Sequence, residues 1–84
     1  MNRDVAIIVF NIEKRNFTVD LEVPLNITAN ELVIALNTAY DLGIDVTNIK
    51  NCFLKAENPI ALLRGNKTLN DYGIRNGSII NFTE

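Results

Sequence analysis

The side chains that carry most enzyme chemistry are nearly absent from this sequence. It contains no histidine, so Ser-His-Asp and Cys-His catalytic arrangements and His-containing zinc sites are all excluded. The single cysteine, Cys52, cannot form an intramolecular disulfide or a paired redox motif. Because Cys52 lies in an apolar stretch, we interpret it as a small hydrophobe in a strand rather than a reactive thiol. We therefore expect no enzyme activity, no metal site and no cofactor.

Composition and length predict a single folded unit, residues 1–84. Hydrophobic residues make up 48% and charged residues 21% of the chain, as in globular proteins, so the chain should fold. The formal net charge of −2 is spread without runs, which gives no surface for nucleic acid or an anionic membrane. The apolar run Val5 to Phe10 is far shorter than the roughly 20 residues of a membrane span. We expect a cytoplasmic protein that does not insert into membranes.

The first elements are predicted to be two strands joined by a hairpin. Val5 to Ile12 is β-branched and apolar on both faces, which is typical of a central strand. Glu13 to Asn16 has the length of a hairpin loop, and Phe17 to Val23 alternates between apolar and polar residues. Pro24 then ends the second strand. The apolar residues expected on the inner face of that strand are Val19, Leu21 and Val23.

The next element is a helix with clear boundary signals. Thr28 and Glu31 have the spacing of a capping box, and Gly43 is the kind of residue that commonly follows a helix. These signals predict a helix over about Ala29 to Leu42. Its expected apolar stripe, which should pack onto the sheet, consists of Leu32, Ala35, Leu36 and Ala39.

Three further strand candidates follow the helix. They are Cys52 to Ala56, Ile60 to Leu63 and Ser78 to Thr83, with the turn signals Asn58-Pro59 and Asn76-Gly77 between them. The order is therefore ββαβββ. We predict an α+β fold in which one main helix packs across one face of a five-stranded mixed sheet.

The C-terminal quarter contains a motif with specific spacing, Thr68-Leu-Asn-Asp-Tyr-Gly-Ile74, within the segment Lys67 to Ile80. This segment is similar to the T-L-x-D-Y-x-I segment of ubiquitin and its relatives. Thr18 to Val23 with Thr28 resembles the second strand and helix entry of the same superfamily. The resemblance implies the ubiquitin-like β-grasp fold. It also implies structural roles for three residues of the motif, which are Leu69, Tyr72 and Ile74.

The sequence departs from conjugating ubiquitins and sulfur carriers at its end. Those proteins finish in an extended Gly-Gly tail, whereas this sequence finishes Asn81-Phe-Thr-Glu84, so we expect no covalent attachment. The start of the chain and the segment Asp20-Leu21-x-Val23-Pro24 resemble the YukD/EsaB family. Those proteins are bacterial ubiquitin-like accessory proteins of type VII (ESAT-6-like) secretion systems.

That resemblance implies a non-catalytic protein-interaction module that acts as a component or regulator of such a system. Its implied partners are membrane or ATPase components of the secretion machinery. The residues also allow two other hypotheses about function. One is a ubiquitin-like adaptor unrelated to secretion, and the other is a covalent modifier or sulfur carrier truncated at its C-terminus.

Strand alternation also predicts a binding surface. If Val5, Ile7 and Val9 lie beside the inner residues of the second strand, Ile8 and Phe10 face solvent. They would join other outward residues in one exposed cluster. The alternative is that the pairing of the first strand is shifted by one residue, which would exchange the inner and outer faces of that strand. We expect this cluster to contact a protein partner, or a second copy of the chain weakly. The predicted protein-binding residues are Ile8, Phe10, Phe53, Lys55 and Ile79.

The same alternation predicts the hydrophobic core. Its expected members are Val5, Ile7, Val9, Val19, Leu21, Leu32, Leu36, Leu54, Leu69, Ile74, Ile80 and Phe82.

Overall fold

The computed structural model describes residues 4–48 and 50–83. Within these residues the chain forms five β-strands and one α-helix, in the order ββαβββ. The sheet has the strand order β2-β1-β5-β3-β4, in which β1 and β5 are parallel and the other neighbours are antiparallel. The predicted five-stranded mixed sheet is confirmed. The elements are β1 Val5–Ile12, β2 Phe17–Pro24, α1 Ala29–Tyr40, β3 Leu54–Glu57, β4 Ala61–Leu63 and β5 Ile79–Phe82.

The hairpin loop fixes which residues of β1 and β2 are neighbours. A short 3₁₀ helix, Glu13–Arg15, is followed by Asn16 in the left-handed region at φ 53°, so four residues separate the strands. Ile12 therefore pairs with Phe17. This pairing joins an even-numbered residue of β1 to an odd-numbered residue of β2. All the remaining pairs of the two strands therefore also join an even number to an odd number.

The predicted orientation of β1 is wrong by one residue. Val19 lies opposite Phe10, so the residues of β1 that share the inner face are the even-numbered ones. Ile8 and Phe10 are fully buried, with no exposed surface, whereas Ile7 is 50% exposed. Val5 and Val9 are half-buried on the same side as Ile7. The inner-face residues of β1 are Ala6, Ile8, Phe10 and Ile12.

Helix α1 begins where the sequence predicts. Thr28 Oγ1 accepts a hydrogen bond from Glu31 N at 3.1 Å, and Glu31 Oε1 accepts one from Thr28 N at 2.8 Å, which completes the capping box. The helix ends at Tyr40, because Asp41 rather than Gly43 is the C-cap and adopts a left-handed conformation with φ 54°.

The buried face of α1 differs in part from the predicted stripe. Leu32 and Leu36 are buried as expected, but Ala35 and Ala39 are exposed. The buried stripe contains Val33 instead of Ala35, and the larger valine side chain fills more of the space against the sheet. The buried residues of the helix are Ala29, Leu32, Val33 and Leu36.

The core lies between α1 and the inner face of the sheet. The remaining predictions for it hold: Val19, Leu21 and Phe82 are partly buried and pack against it. The predicted core residues that are buried are Leu32, Leu36, Leu54, Leu69, Ile74 and Ile80. Val23, which was expected on the inner face of β2, is also buried. The other core residues that the predicted list lacks are Ala6, Ile8, Phe10, Ile12, Ala29, Val33, Leu42, Cys52, Ala56 and Leu63.

Candidate functional site

The side of the sheet that faces away from α1 carries a row of apolar side chains. Val9 pairs with Ile79 across the parallel β1–β5 junction, and Ile7 and Val5 continue the row along β1. Side chains on a strand alternate between faces, so these four residues share the face opposite the core. We call this row the open-face strip, defined by Val5, Ile7, Val9 and Ile79.

Carboxylates border the open-face strip on both sides. On β2, Asp20 lies opposite Val9 and Glu22 lies opposite Ile7. On β3, Glu57 lies opposite Ile79. A side chain directly opposite another on the same face is about 5 Å away, so the acidic groups flank the apolar row closely. The face therefore combines an apolar centre with carboxylates on both sides of it, and the exposed Lys55 lies farther along β3.

The end of the C-terminal turn holds Ile7 in position. Asn76 Oδ1 accepts a hydrogen bond from Ile7 N at 2.8 Å, and Gly77 N donates to the Ile7 carbonyl at 2.9 Å. Gly77 has a φ of 89°, which favours glycine at this position. Ile7 is the most exposed member of the strip, and its backbone N–H and C=O are thus both held by hydrogen bonds.

A chain of side-chain hydrogen bonds crosses the same face next to the strip. Thr18 Oγ1 donates to Asn11 Oδ1 at 2.8 Å, Asn11 Nδ2 donates to Asn81 Oδ1 at 2.8 Å, and Asn81 Nδ2 donates to Glu57 Oε2 at 2.9 Å. These residues link β2, β1, β5 and β3. Asn81 is only 5% exposed, so its amide depends on these partners. The chain of bonds makes the open face a rigid platform.

Asn81→Ala is expected to lower the free energy of unfolding by about 1 to 3 kcal/mol. The substitution removes the middle of this chain and leaves Asn11 Nδ2 and Glu57 Oε2 without these partners. Urea unfolding monitored by circular dichroism measures the loss. The matched control is Asn66→Ala in an exposed loop, which should change stability by no more than about 0.5 kcal/mol. Equal costs for the two variants would contradict a stabilising role for Asn81.

The structure places the predicted protein-binding residues in three different environments. Ile79 and Lys55 lie on the open face as predicted, the first half-buried and the second exposed. Phe53 is half-buried just before β3 and lines a pocket of about 500 Å³ with Lys55 and other residues. Ile8 and Phe10 are buried under the sheet, so their predicted place on the exposed surface is wrong. The hairpin register is the physical reason, because it turns both residues toward α1.

Sequence reasoning missed Val5, Ile7 and Val9 as surface residues. A signal for them was present, because Asn11 is the one polar residue of Val5–Ile12. Asn11 shares its face with the odd-numbered residues of β1. A strand buried on one face keeps its polar residues on the other.

The remaining chemistry-bearing groups are few. Among the described residues, no three Asp, Glu or Cys side chains are placed together to hold a metal ion. Cys52 is buried, and this burial raises the pKa of its thiol, with the nearby charge of Asp45 adding to the increase. The Cys52 thiol donates to Asn30 Oδ1 at 3.3 Å. It is therefore a protonated, packed side chain at neutral pH.

Over the described ranges, no helix is both long and apolar enough to cross a membrane.

Several solved structures that this chain resembles are ubiquitin-like domains. The ubiquitin-like domain of tubulin-binding cofactor B superposes with a TM-score of 0.73 and 20% identity, covering 95% of this chain and 89% of that domain. The C-terminal ubiquitin-like domain of mouse tubulin-specific chaperone e gives a TM-score of 0.71 at 12% identity, over 96% and 87% of the two chains. The corresponding domain of Plasmodium falciparum Dsk2 gives 0.60 at 16% identity, over 92% and 96%. The chain thus has the ubiquitin-like β-grasp fold that its sequence predicts.

The family is more specific than the fold. Residues 5–81 match the family described as WXG100 protein secretion system (Wss), protein YukD. The chain belongs to this family, which confirms the resemblance drawn from its sequence. A comparison with curated proteins gave no match.

Proposed function

We propose that this chain is a cytoplasmic, non-catalytic protein-interaction module, formed as a single ubiquitin-like domain, in a WXG100 (type VII) secretion system. It acts there as an accessory or regulatory component and binds its partner through the open-face strip. Its family membership supports the secretion context. The observation that carries the proposal is the position of Ile7, which is 50% exposed between an apolar neighbour and an acidic border.

The open-face strip has the properties of a contact surface. Ile7 is its exposed member, and the other three side chains are half-buried beside it, so the apolar surface is continuous rather than a single scattered side chain. Continuous apolar surface of this kind commonly marks a place where another protein binds. Val9 and Ile79 supply a half-buried apolar floor, and Ile7 projects from it. Asn81 and its partners hold the floor rigid, so little conformational freedom is lost when a partner docks.

The border of the strip favours a partner with the opposite charge. Asp20 and Glu57 lie on either side of the Val9–Ile79 pair. A partner surface with an apolar centre and lysine or arginine residues around it would complement both parts of this face. Such a surface on a membrane or ATPase component of the secretion system is the partner we propose. Lys55 and Phe53, at the β3 end of the face, would contribute to the edge of the same contact.

The test is the binding of Ile7→Asp to the purified cytoplasmic domain of the secretion system's ATPase, measured by isothermal titration calorimetry. A charge in the centre of an apolar contact should weaken binding by about 2 kcal/mol, which is roughly 30-fold. Ile7 is half-exposed, so the variant should keep its fold, which circular dichroism checks.

The matched control for this experiment is Ile34→Asp. Ile34 is 39% exposed on α1, which lies across the opposite face of the sheet. It has the same side chain and a similar exposure, so the control variant should bind the ATPase domain like the unmodified protein. Equal weakening by both variants, or no binding by the unmodified protein, would contradict the proposed surface.

A further inference from the structure

A second cleft lies away from the open face, between the start of α1 and the loop that follows β4. It has a volume of about 450 Å³. Arg64 and Lys67 line it, together with Val46, Tyr72 and the side chain of Asn30, and none of its described lining residues is acidic. The whole chain has a net charge of −2 and an isoelectric point of about 5.0, so this cleft is a local positive site on an acidic protein. We call it the basic cleft.

The cationic groups of the basic cleft are not neutralised within the described part of the chain. Arg64 makes no side-chain hydrogen bond or ion pair there, and the contact of Lys67 Nζ is with the ring of Tyr72, 5.0 Å from the ring centre. The neighbouring carboxylate of Asp71 accepts instead from Thr68 N, at 3.4 Å. The two cations are therefore available to an anionic ligand.

The loop that carries both cations is held firmly in place. Tyr72 Oη donates to the Arg64 carbonyl at 2.7 Å. Two amides of the first turn of α1 donate to the same loop: Ala29 N to the Lys67 carbonyl at 2.9 Å, and Asn30 N to the Gly65 carbonyl at 3.0 Å. These bonds fix the backbone of the cleft before any ligand arrives. They also occupy the amides of the helix start, so a ligand would be recognised by side chains.

The walls of the cleft suit a ligand with both charged and apolar groups. Val46 is partly exposed, and the Tyr72 ring forms an apolar surface beside the two cations. Asn30 Oδ1 accepts from the Cys52 thiol, which leaves the Asn30 Nδ2 hydrogens as further donors. Two cations beside a small apolar wall fit one or two carboxylates, whereas the net negative charge of the protein would repel a long polyanion.

We propose that the basic cleft binds an acidic peptide segment of a partner protein. An aspartate or glutamate carboxylate of the segment lies between Arg64 and Lys67, and an adjacent apolar side chain packs against Val46 and Tyr72. Charge-assisted hydrogen bonds from arginine and lysine to a carboxylate supply the specificity. This site is separate from the open-face strip and has the opposite charge. The protein would thus bind a basic partner surface at the open-face strip and an acidic partner segment at the basic cleft.

The test is a titration of the ¹⁵N-labelled protein, followed by two-dimensional NMR, with the capped peptide Gly-Glu-Phe-Asp-Gly. We expect saturable shifts of the amide signals of Asn30 and of residues 64–67. The affinity for the peptide obtained from these shifts should fall at least tenfold when sodium chloride is raised from 20 to 500 mM. The uncharged analogue Gly-Gln-Phe-Asn-Gly should cause no saturable shift. Equal shifts with the analogue, equal shifts with inorganic phosphate alone, or shifts confined to other residues would each overturn the proposal.

Charge-matched variants complete the experiment. Arg64→Glu should weaken peptide binding at least tenfold, and Arg64→Gln should weaken it by a smaller factor. Lys55→Glu changes the net charge by the same amount as Arg64→Glu on an exposed residue of the open face, and it should bind the peptide normally. Ile7→Asp should also bind the peptide normally, so a failure of the open-face proposal leaves this test intact. Equal losses for Arg64→Glu and Lys55→Glu would show a general charge effect and overturn the site.

Discussion

Phe10→Ala is expected to lower the free energy of unfolding by about 3 to 5 kcal/mol. Phe10 has no exposed surface, and it lies between Val19 of β2 and Ile80 of β5. Its ring is 5.3 Å from that of Tyr40 on α1, so it joins the sheet to the helix. A chain of this length has a total stability of roughly 4 to 12 kcal/mol, so the loss is a large part of it. Urea unfolding followed by circular dichroism measures the change.

The control for this prediction is Ile7→Ala on the same strand. Ile7 points to the other face and is 50% exposed, so the truncation should cost only about 1 kcal/mol. The two variants together measure the orientation of β1. A larger cost for Ile7→Ala than for Phe10→Ala would mean that the strand is turned the other way, and the open-face strip would not exist.

The sequence predicts the strands of this protein better than it predicts which way they face. The bounds of β1 follow directly from its run of apolar residues. Because both faces of β1 are rich in large apolar side chains, alternation alone does not distinguish its inner face from its outer face. The length of the loop Glu13 to Asn16 does distinguish them. With four loop residues, Ile12 pairs with Phe17, so the even-numbered residues of β1 share a face with the odd-numbered residues of β2. The position of Asn11 on the outer face agrees with this pairing.

The two candidate sites differ in how far the sequence could predict them. The β3 and β5 part of the open face follows from local alternation, so Lys55 and Ile79 lie on the face that the alternation predicts. The basic cleft could not be predicted in this way. Arg64, Lys67 and Asn30 come together only because the loop after β4 hydrogen-bonds to the first turn of α1, more than thirty positions away. Pairings between distant segments are decided by the packed fold rather than by local pattern.

The helix gives the second large effect. Leu36→Ala is expected to lower the free energy of unfolding by about 2 to 5 kcal/mol, because Leu36 is only 5% exposed on the face of α1 that covers the sheet. Alanine has a slightly higher helix propensity than leucine, so the loss would come from packing alone.

Ile34→Ala provides the comparison on the same helix. Ile34 lies two residues away, on the exposed side, and its truncation should change stability by less than about 1 kcal/mol, with the gain in helix propensity offsetting part of the lost contact. The ratio of the two costs, from urea unfolding of both variants, therefore reports the orientation of α1. A Leu36→Ala cost as small as that of Ile34→Ala would remove Leu36 from the core and shift the buried stripe of the helix. In that case Val33 would also lose its place against the sheet, because both residues share one face of α1.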